Sequence, residues 1–243
     1  MPKQRLDSLL VARGLAGNRS KAQAMIMAGE VTVNGSLLTK AGYLISDDVE
    51  ISLKEKLPYV SRGGLKLEHA LKEFGINVSG LQCLDVGAST GGFTDCLLQH
   101  GAERVFALDV GHGQIDYRLR QDDRVIVIEK VNAHYPFDLP GKASLATVDV
   151  SFISVTAVIP NILPHLEQDG GLVVLFKPQF EADRKDVGKG GVIRDPEVHA
   201  RCIGKFITWI NLNNWSLLNL TASPISGADG NIEFLMHMRP FKP

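Results

Sequence analysis

The chain has 243 residues, a formal net charge of −1 and 44% hydrophobic residues, which is enough apolar material for one or two domains with buried cores. Its three cysteines and seven histidines match no disulfide framework and no zinc-binding spacing, so a secreted scaffold is disfavoured and no metal site is expected. The N-terminus lacks the apolar core of a signal peptide. Residues 153–166, the longest uncharged apolar stretch, are too short and too proline-rich to cross a bilayer. We therefore expect a soluble, cytoplasmic protein.

Residues 1–57 predict a small α+β domain. Apolar residues in 4–15 and in 18–29 recur with a helical period, and each pattern closes at a glycine. The pair Asn-Gly at 34–35 separates two short strand patterns, the strongest short signal for a β-hairpin, and residues 48–53 predict one more strand. Asn18 is expected to cap the second helix. One buried face of this helix is expected to consist of Ala22, Ile26 and Met27.

A linker is predicted over residues 58–63, because Pro58 and a glycine pair interrupt any regular element there. Strand and helix patterns then alternate through residues 64–243. This alternation predicts an α/β domain with a mostly parallel sheet and helices on both faces. The last two strand patterns, 215–225 and 232–240, follow one another without a helix, so we expect one antiparallel edge strand.

The stretch LDVGASTGGFTD, residues 84–95, runs from a strand through glycines into a helix. The glycine spacing is not that of the dinucleotide fingerprint, and the glycine pair at the helix start is expected to let a ligand approach the backbone. Asp85 suits the ammonium group of an amino acid, and Asp109, which ends the next strand, suits ribose hydroxyls. A nucleoside joined to an amino acid, without phosphate, describes S-adenosylmethionine. The predicted contacts are Asp85, Gly87, Ala88, Ser89, Thr90, Gly91, Gly92, Phe93, Asp109, Val110, Asn132 and Asp149.

Two alternatives accompany this cofactor site. Asn132, which ends a further strand, is expected either to reach the adenine or to cap its own turn. The glycine loop alone is also compatible with a plain strand-to-helix turn. The two spaced carboxylates favour the cofactor.

Four polar residues lie at predicted element ends on the side where open α/β sheets bind ligands. Asp149 and Lys177 follow strands, Glu233 enters an apolar strand, and Lys66 lies in the helix before the glycine loop. Each has a simpler explanation alone, since aspartates form turns and lysines extend along apolar surfaces to reach solvent. Two lysines and two carboxylates at matching ends predict a catalytic group.

In order and context these four residues resemble the Lys-Asp-Lys-Glu tetrad of FtsJ-like ribose 2′-O-methyltransferases. Residues 1–57, with NRSKAQAMI and GEVTVNG, resemble the S4 type of RNA-binding domain. Together with VSRGGLKLEHAL, DVGASTGGFTD, TVDVSFIS, FKPQFEA and VGKGGVIRDP, they make nearly the whole chain similar to the TlyA, or haemolysin A, family of ribosomal RNA methyltransferases.

The resemblance implies a Rossmann-like methyltransferase sheet over residues 64–243, S-adenosylmethionine as cofactor, and methylation of the 2′-hydroxyl of a cytidine in ribosomal RNA. The transfer is expected to be an in-line displacement that depends on positioning. Lys177, when neutral, would accept the hydroxyl proton as general base. Asp149 and Glu233 would orient the lysines and the ribose.

The first domain is expected to capture RNA. Residues 1–57 carry eight Lys and Arg against six acids, a balance of 8 − 6 = +2, and basic helical faces suit phosphate contacts. A solvated charged face is the alternative, and the resemblance favours RNA. Because no aromatic residue precedes Tyr43, backbone and shape recognition is expected instead of base stacking. The predicted contacts are Arg5, Arg13, Asn18, Arg19, Ser20, Lys21 and Lys40.

Residues 181–197 form a long, charged, glycine-rich stretch without apolar periodicity. Long loops beside a site are commonly functional, so the stretch predicts a lid over the RNA. Plain disorder is the alternative. The predicted phosphate contacts are Lys185, Lys189 and Arg194.

Three other functions stay open. A non-catalytic RNA-binding factor for ribosome assembly would keep the same fold, and a methyltransferase acting on tRNA would keep the same site. The name haemolysin implies action on membranes, but the sequence offers neither a span nor a strongly amphipathic cationic helix. The expected partner is ribosomal RNA or a ribosomal subunit, with no membrane and no metal.

Overall fold

The computed structural model describes residues 3–54 and 57–241. The chain divides into two compact units, Met1–Leu57 and Pro58–Pro243. Glu55 and Lys56, which entered the charge balance of the first predicted domain, lie outside the described residues.

The first unit contains two helices and five short strands. A three-stranded antiparallel sheet has the order β3-β2-β5, and β1 pairs with β4. The predicted hairpin is confirmed, because Asn34 and Gly35 both have positive φ between β2 and β3. Strand β1 was not predicted because residues 4 and 5 were included in the first helical pattern, and no strand was predicted over the residues of β4. The elements are β1 (Lys3–Arg5), α1 (Leu6–Ala12), α2 (Arg19–Met27), β2 (Val31–Val33), β3 (Ser36–Leu37), β4 (Leu44–Ser46) and β5 (Ile51–Leu53).

Helix α2 confirms its predicted cap and corrects its predicted face. The side chain of Asn18 accepts a hydrogen bond from the backbone N–H of Lys21 at 2.8 Å. Ala22 and Ile26 are fully buried, but Met27 is 72% exposed. Met27 follows Ile26 directly, so it is rotated about 100° around the helix and leaves the buried face.

Asp7 is a buried carboxylate that collects donors from both helices of this unit. It accepts hydrogen bonds from Nε and Nη2 of Arg5 at 3.0 and 2.7 Å, from Gln23 at 2.8 Å and from Arg19 at 3.1 Å. The bonds from Arg5, followed by those from Gln23 and Arg19, hold the pKa of Asp7 well below its usual range, against the opposing effect of burial. The carboxylate therefore ties α1 to α2.

The second unit is a seven-stranded sheet flanked by helices. The order is β11-β12-β10-β9-β6-β7-β8; β9, β6, β7, β8 and β10 pair in parallel, and β12 runs antiparallel to β10 and β11. The predicted fold class is confirmed. The four-residue helices α5 and α7 were not predicted. The elements are α3 (Gly63–Glu73), β6 (Gln82–Val86), α4 (Gly92–Gln99), β7 (Arg104–Asp109), α5 (Tyr117–Arg120), β8 (Val125–Glu129), β9 (Ala143–Val148), α6 (Val155–Ile162), β10 (Leu166–Phe176), α7 (Pro178–Glu181), α8 (Pro196–Leu212), β11 (Trp215–Ala222) and β12 (Phe234–Pro240).

The second half of strand β10, residues 172–176, is apolar at every position. Leu172, Val174 and Phe176 pack into the core on one face of the sheet, whereas Val173 and Leu175 pack into the core on the other. All five are fully buried. Successive residues of a strand point to opposite faces, so a strand covered on both sides needs apolar residues throughout.

The segment 58–63, predicted as a linker, packs against the second unit. Tyr59 is only 5% exposed and belongs to the core that contains α3 and α4. The backbone N–H of Val60 donates to Asp95 at 2.8 Å. The domain boundary stays a prediction, and the residues just after it are held in place.

Within the described part of the chain, no helix combines the length and the apolarity that crossing a bilayer requires.

We expect Asp7→Asn to destabilise the first unit in a pH-dependent way. Since the pKa of Asp7 is lowered by folding, its ionised form contributes stability above the unfolded pKa of about 3.9, and this contribution is lost as the pH falls towards the folded-state pKa. Thermal unfolding of the full chain should show a midpoint lower by roughly 5 °C at pH 7. The difference should shrink below about pH 4.

The matched control is Glu50→Gln, at an exposed carboxylate of the same unit, which should change the midpoint little. A difference between Asp7→Asn and the unmutated protein that stays constant across this pH range would contradict the assignment.

Candidate active site

The carboxyl edge of the parallel strands collects polar residues that are distant in sequence. Asp149 directly follows β9, and Lys177 directly follows β10. Because β12 runs antiparallel to β10, its first residues lie at this same edge. The register pairs Phe234 with the last residue of β10, so Glu233 comes to lie at the strand ends with Lys177.

Two ion pairs join the four residues predicted as a catalytic group. Lys66, in the first turn of α3, donates to Oε2 of Glu233 at 2.5 Å, and both side chains are almost fully buried. Nζ of Lys177 lies 2.6 Å from Oδ1 of Asp149. This second contact is not aligned as a hydrogen bond; the hydrogen bond of Nζ goes to the hydroxyl of Ser151 at 2.9 Å. Since Lys66 and Asp149 line one cavity, both pairs border the same site.

Gly227 makes room for the carboxylate of Glu233. A Cβ at position 227 would collide with Oε1 and Cδ of Glu233. The loop that contains Gly227 is closed by hydrogen bonds from Ser223 N–H to the carbonyl of Glu233 at 2.8 Å and from Gly227 N–H to the carbonyl of Asn231 at 2.9 Å. The loop therefore supports the side of Glu233 that does not face Lys66.

Two adjoining cavities lie at this edge and share Gly87, Ser89 and Asp149 in their walls. The larger cavity has a volume of about 520 Å³ and extends along the ends of β7 and β9. The smaller, of about 240 Å³, lies against the first turns of α3 and α4. Among the predicted cofactor contacts, those in the walls are Gly87, Ala88, Ser89, Thr90, Gly92, Phe93, Asp109, Val110, Asn132 and Asp149.

Asp109 and Asn132 occupy the larger cavity as expected from their strand ends. Asp109 accepts backbone hydrogen bonds from Ser89 at 2.7 Å and Gly111 at 2.6 Å. An ionised carboxylate has about four lone-pair sites, so it retains capacity for hydroxyl groups of a ligand. Asn132 accepts a bond from His134 N–H at 2.9 Å and also lines the cavity. It caps its own turn, and contact with an adenine stays a prediction.

The glycine loop departs from expectation in how its glycines are used. Gly87 has φ +85°, and a Cβ there would collide with the carbonyl oxygen of Asp149. A Cβ at Gly92 would collide with Ser61 and with the backbone of Gly64, so this position lets α3 pack closely on α4. Gly91 has φ +94° and lies against Leu119 outside both cavities. The space beside Gly91 is therefore filled by protein, whereas Gly92 lies in the wall of the smaller cavity. A ligand contact at this helix start stays a prediction.

The prediction for Asp85 also needs correction. Asp85 is the penultimate residue of β6, so its side chain points to a face of the sheet and not out of the strand end. It is fully buried and accepts hydrogen bonds from Thr94 at 2.7 Å and Thr147 at 3.0 Å. Burial raises the pKa of Asp85 to about 7, and the two threonine bonds oppose this shift. Asp85 joins α4 to the sheet and lines neither cavity.

The loops after β9 and β10 are fastened to each other. Glu181 accepts hydrogen bonds from Ser154 Oγ at 2.6 Å and from the backbone N–H at the start of α6 at 2.8 Å. Burial raises the pKa of Glu181, and these bonds oppose the shift. The rings of Phe152 and Phe180 are 5.1 Å apart. The loops that carry Asp149 and Lys177 are thus held together by polar and aromatic contacts.

Phe152 combines strain with exposure. Its φ is +63°, a conformation that is rare and costly for a bulky residue, and the side chain is 92% exposed while lining the larger cavity. No sequence pattern signals such a backbone. Other wall residues that the sequence analysis missed include Ser61, Arg62, Gly63, Ser151 and Gly227. For the first three, the run SRGG before Lys66 was an available signal.

The predicted RNA contacts of the first unit are partly engaged within it. Arg5 and Arg19 bind Asp7, Arg13 donates to the backbone carbonyls of Val49 and Asp47, and Asn18 caps α2. These contacts orient the arginines while leaving Arg5 and Arg19 42% and 57% exposed. The remaining predicted contacts are exposed: Ser20, Lys21 and Lys40.

The predicted lid, residues 181–197, has defined structure. It contains α7's last residue, a short 3₁₀ helix over Arg184–Asp186 and a turn in which Gly188 N–H donates to the carbonyl of Val192. Ile193 is buried in the core. The predicted phosphate contacts Lys185, Lys189 and Arg194 are exposed. Plain disorder does not describe this segment.

We expect Gly227→Ala to disturb the pair Lys66–Glu233 through its methyl group alone, because φ at this position does not require glycine. The displaced carboxylate should lower the turnover number at least tenfold, where roughly 1.4 kcal/mol corresponds to a factor of ten. Cofactor affinity is measured alongside it, because Gly227 also lines the smaller cavity. Enzyme kinetics and calorimetry measure the two quantities. Gly204→Ala is the matched control, because a Cβ there meets no atom within 4 Å. Equal turnover in both variants would contradict this role.

Comparison with known proteins identifies the relatives of this chain. Residues 59–240 match the family model described as FtsJ-like methyltransferase, and residues 4–51 match the S4 domain. A Bacillus subtilis protein provisionally named rRNA methyltransferase YqxC is 49% identical over 97% of this chain and 85% of its own length. The Mycobacterium tuberculosis protein named 16S/23S rRNA (cytidine-2′-O)-methyltransferase TlyA is 40% identical over 98% of this chain and 90% of its own.

Solved structures agree with this grouping. One from Streptococcus thermophilus, provisionally described as a hemolysin, is 44% identical, with a TM-score of 0.76 over 100% of this chain and 90% of its own. An S-adenosylmethionine-dependent methyltransferase from Mesorhizobium loti is 16% identical, with a TM-score of 0.54 over 70% of this chain and 96% of its own, and shares the fold. The chain therefore belongs to the FtsJ-like methyltransferase family, enzymes that use S-adenosylmethionine, and carries an S4 domain at its N-terminal end.

Proposed function

We propose that this enzyme methylates the 2′-hydroxyl of a ribose in ribosomal RNA, at a cytidine. The observation that carries the proposal is the pair of lysine–carboxylate contacts, Lys66–Glu233 and Lys177–Asp149, beside the cofactor cavities. The name of the Mycobacterium tuberculosis relative supports the nucleotide and the position. The S4 match over residues 4–51 supports RNA as substrate.

The larger cavity and the smaller cavity together suit the two halves of the cofactor. Asp109 would accept the ribose hydroxyls, and Asn132 would lie near the adenine. Arg62 and the first turns of α3 and α4 line the smaller cavity, and positive charge and backbone N–H groups at helix starts suit the methionine carboxylate. When bound, S-adenosylmethionine supplies a methyl group on a positively charged sulfur.

Lys177 is proposed to receive the proton of the attacking hydroxyl. A ribose hydroxyl is a weak nucleophile, and a positioned base assists its loss of a proton. The carboxylate of Asp149 and the hydroxyl of Ser151 fix the position of Nζ. For this step Nζ first releases the proton of its ammonium form to solvent and then takes the hydroxyl proton as a neutral amine. Asp149 stabilises the ammonium that results. Lys66, held by Glu233, is proposed to bind the ribose from the other side.

An aromatic surface beside this site suits the base of the target nucleotide. Phe152 presents its ring at the rim of the larger cavity, supported by Phe180. Bases drawn out of an RNA helix commonly stack on aromatic side chains. The strained backbone at Phe152 is consistent with a ring held in place before RNA arrives. We therefore propose that the cytosine stacks on Phe152.

RNA capture is proposed for residues 1–57, with residues 58–63 as linker. Arg5 and Arg19 are pre-oriented by Asp7, which reduces the entropy lost when they bind phosphates. Such contacts weaken as salt is added. In the second unit, Lys185, Lys189 and Arg194 are proposed to contact the backbone near the site.

Transfer of labelled methyl groups tests the substrate. The full chain with labelled S-adenosylmethionine should label intact ribosomal subunits, ribosomes or naked ribosomal RNA, and a transfer to tRNA alone would overturn the ribosomal assignment. Cofactor binding without any transfer would favour a non-catalytic assembly factor. Leakage of phospholipid vesicles would be the result expected of a membrane-active haemolysin.

We expect Lys177→Ala to lower the single-turnover methyl-transfer rate by at least a hundredfold, the lower range for loss of a general base. Cofactor affinity, measured by calorimetry, should stay within about threefold, because Lys177 lines neither cavity. Lys205→Ala is the matched control and should retain activity. It removes a lysine of α8 that lies 3.5 Å from Asp183. Full activity in Lys177→Ala would refute the base assignment.

Phe152→Ala should raise the KM for RNA roughly tenfold, since stacking on an aromatic ring contributes about 1–3 kcal/mol per base. Phe152→Tyr keeps the ring and should stay close to the unmutated enzyme. Steady-state kinetics with saturating cofactor separates this effect from cofactor binding. An unchanged KM in Phe152→Ala would remove the stacking proposal.

A further inference from the structure

The basic segment beside the site is attached at three places. We call residues 184–194 the strap. At its start, Asp186 accepts a bond from Arg201 of α8 at 2.7 Å, and near its end Ile193 is buried in the core. The third attachment is the side chain of Asn231. The strap exposes four cationic side chains, Arg184, Lys185, Lys189 and Arg194.

Asn231 is only 4% exposed, and both ends of its amide bind the strap. Its Oδ1 accepts a hydrogen bond from Ile193 N–H at 3.1 Å, and its Nδ2 donates to the carbonyl of Gly191 at 3.0 Å. Buried polar groups that lose a partner are costly. The amide therefore fixes the strap's turn against the loop that precedes β12.

The same residue also supports the catalytic carboxylate. The backbone carbonyl of Asn231 accepts the N–H of Gly227, and Gly227 packs directly against the carboxylate of Glu233. Glu233 follows Asn231 by two residues and pairs with Lys66. Asn231 thus contacts the strap with its side chain and the support of Glu233 with its backbone.

We propose that Asn231 is a positioning residue that couples the strap to Glu233, so that RNA backbone bound by the strap keeps Glu233 and Lys66 in the geometry required for methyl transfer. The inference rests on the proposed function, because it assumes an RNA phosphate backbone as the ligand of the strap. Asn231 itself is too buried to contact RNA. It acts through Gly191, Ile193 and Gly227.

The proposed coupling predicts an effect of Asn231→Ala that a general loss of stability would not produce. The buried N–H of Ile193 and the carbonyl of Gly191 lose their partners, so the strap should open locally. Trypsin should then cut after the four strap cations roughly tenfold faster, as mapped by mass spectrometry of the full chain. Cuts in residues 3–54 should keep their rate. With RNA, kcat should fall roughly tenfold at saturating substrate, and the calorimetric affinity for S-adenosylmethionine should be unchanged.

Two further variants complete the experiment. Asn231→Asp keeps an acceptor for Ile193 N–H and turns a second oxygen towards the carbonyl of Gly191, so it should open the strap even if Asn231→Ala does not fold. Asn219→Ala is the matched control and should change neither proteolysis nor kcat. It removes an amide of β11 that contacts His237 on the neighbouring strand.

The outcomes separate the inference from the proposed function. Faster cleavage of the strap together with a lower kcat supports the coupling. Unchanged cleavage overturns the attachment by Asn231, and an open strap with unchanged kcat overturns the coupling. If the unmutated enzyme transfers no methyl group to RNA, the proposed function fails, while the proteolysis still decides whether Asn231 holds the strap.

Discussion

The antiparallel direction of β12 places Glu233 among residues that reach the site from parallel strands. In a purely parallel sheet the start of a strand lies at the opposite edge from the ligand. The register of β12 against β10 instead brings Glu233 to the end where Lys177 and Asp149 lie. Lys66 completes the set from α3. Four distant segments thus form two ion pairs, each with one member in the wall of the smaller cavity.

Burying these charges has a cost in stability that the proposed chemistry would explain. Taking a lysine and a carboxylate out of water commonly offsets the attraction between them, so the ion pairs are not the main support of the fold. That support comes from the two apolar cores on either side of the sheet. The lysines are instead held in fixed positions by their partners, as the proposed transfer to a poorly reactive hydroxyl would require. In the first unit, Asp7 orders Arg5 and Arg19 in a comparable way.

Much of this architecture could be predicted from the sequence, because the spacing of apolar residues in the core strands and the long helices indicates which residues are buried. Candidate site residues could be predicted at strand ends and helix starts, where residue type and position coincide. Asp85 was assigned wrongly because a residue one place before a strand end points to the sheet face, where threonines meet it. The exposure of Met27 and the positive φ of Phe152 were not predicted. Neither the exact rotation of a helix near its end nor a positive φ at a non-glycine residue can be read from residue types.

The account stands on attack by a ribose 2′-oxygen, and the position of the transferred methyl group tests this directly. RNA labelled by the enzyme can be hydrolysed completely in alkali, which cleaves only where a free 2′-hydroxyl is present. Methylation of the 2′-oxygen predicts that the label appears in alkali-stable dinucleotides with cytidine at the 5′ position, and that Lys177→Ala yields none. Label recovered in mononucleotides would place the methyl group on a base, and would contradict the proposed role of the paired lysines and carboxylates.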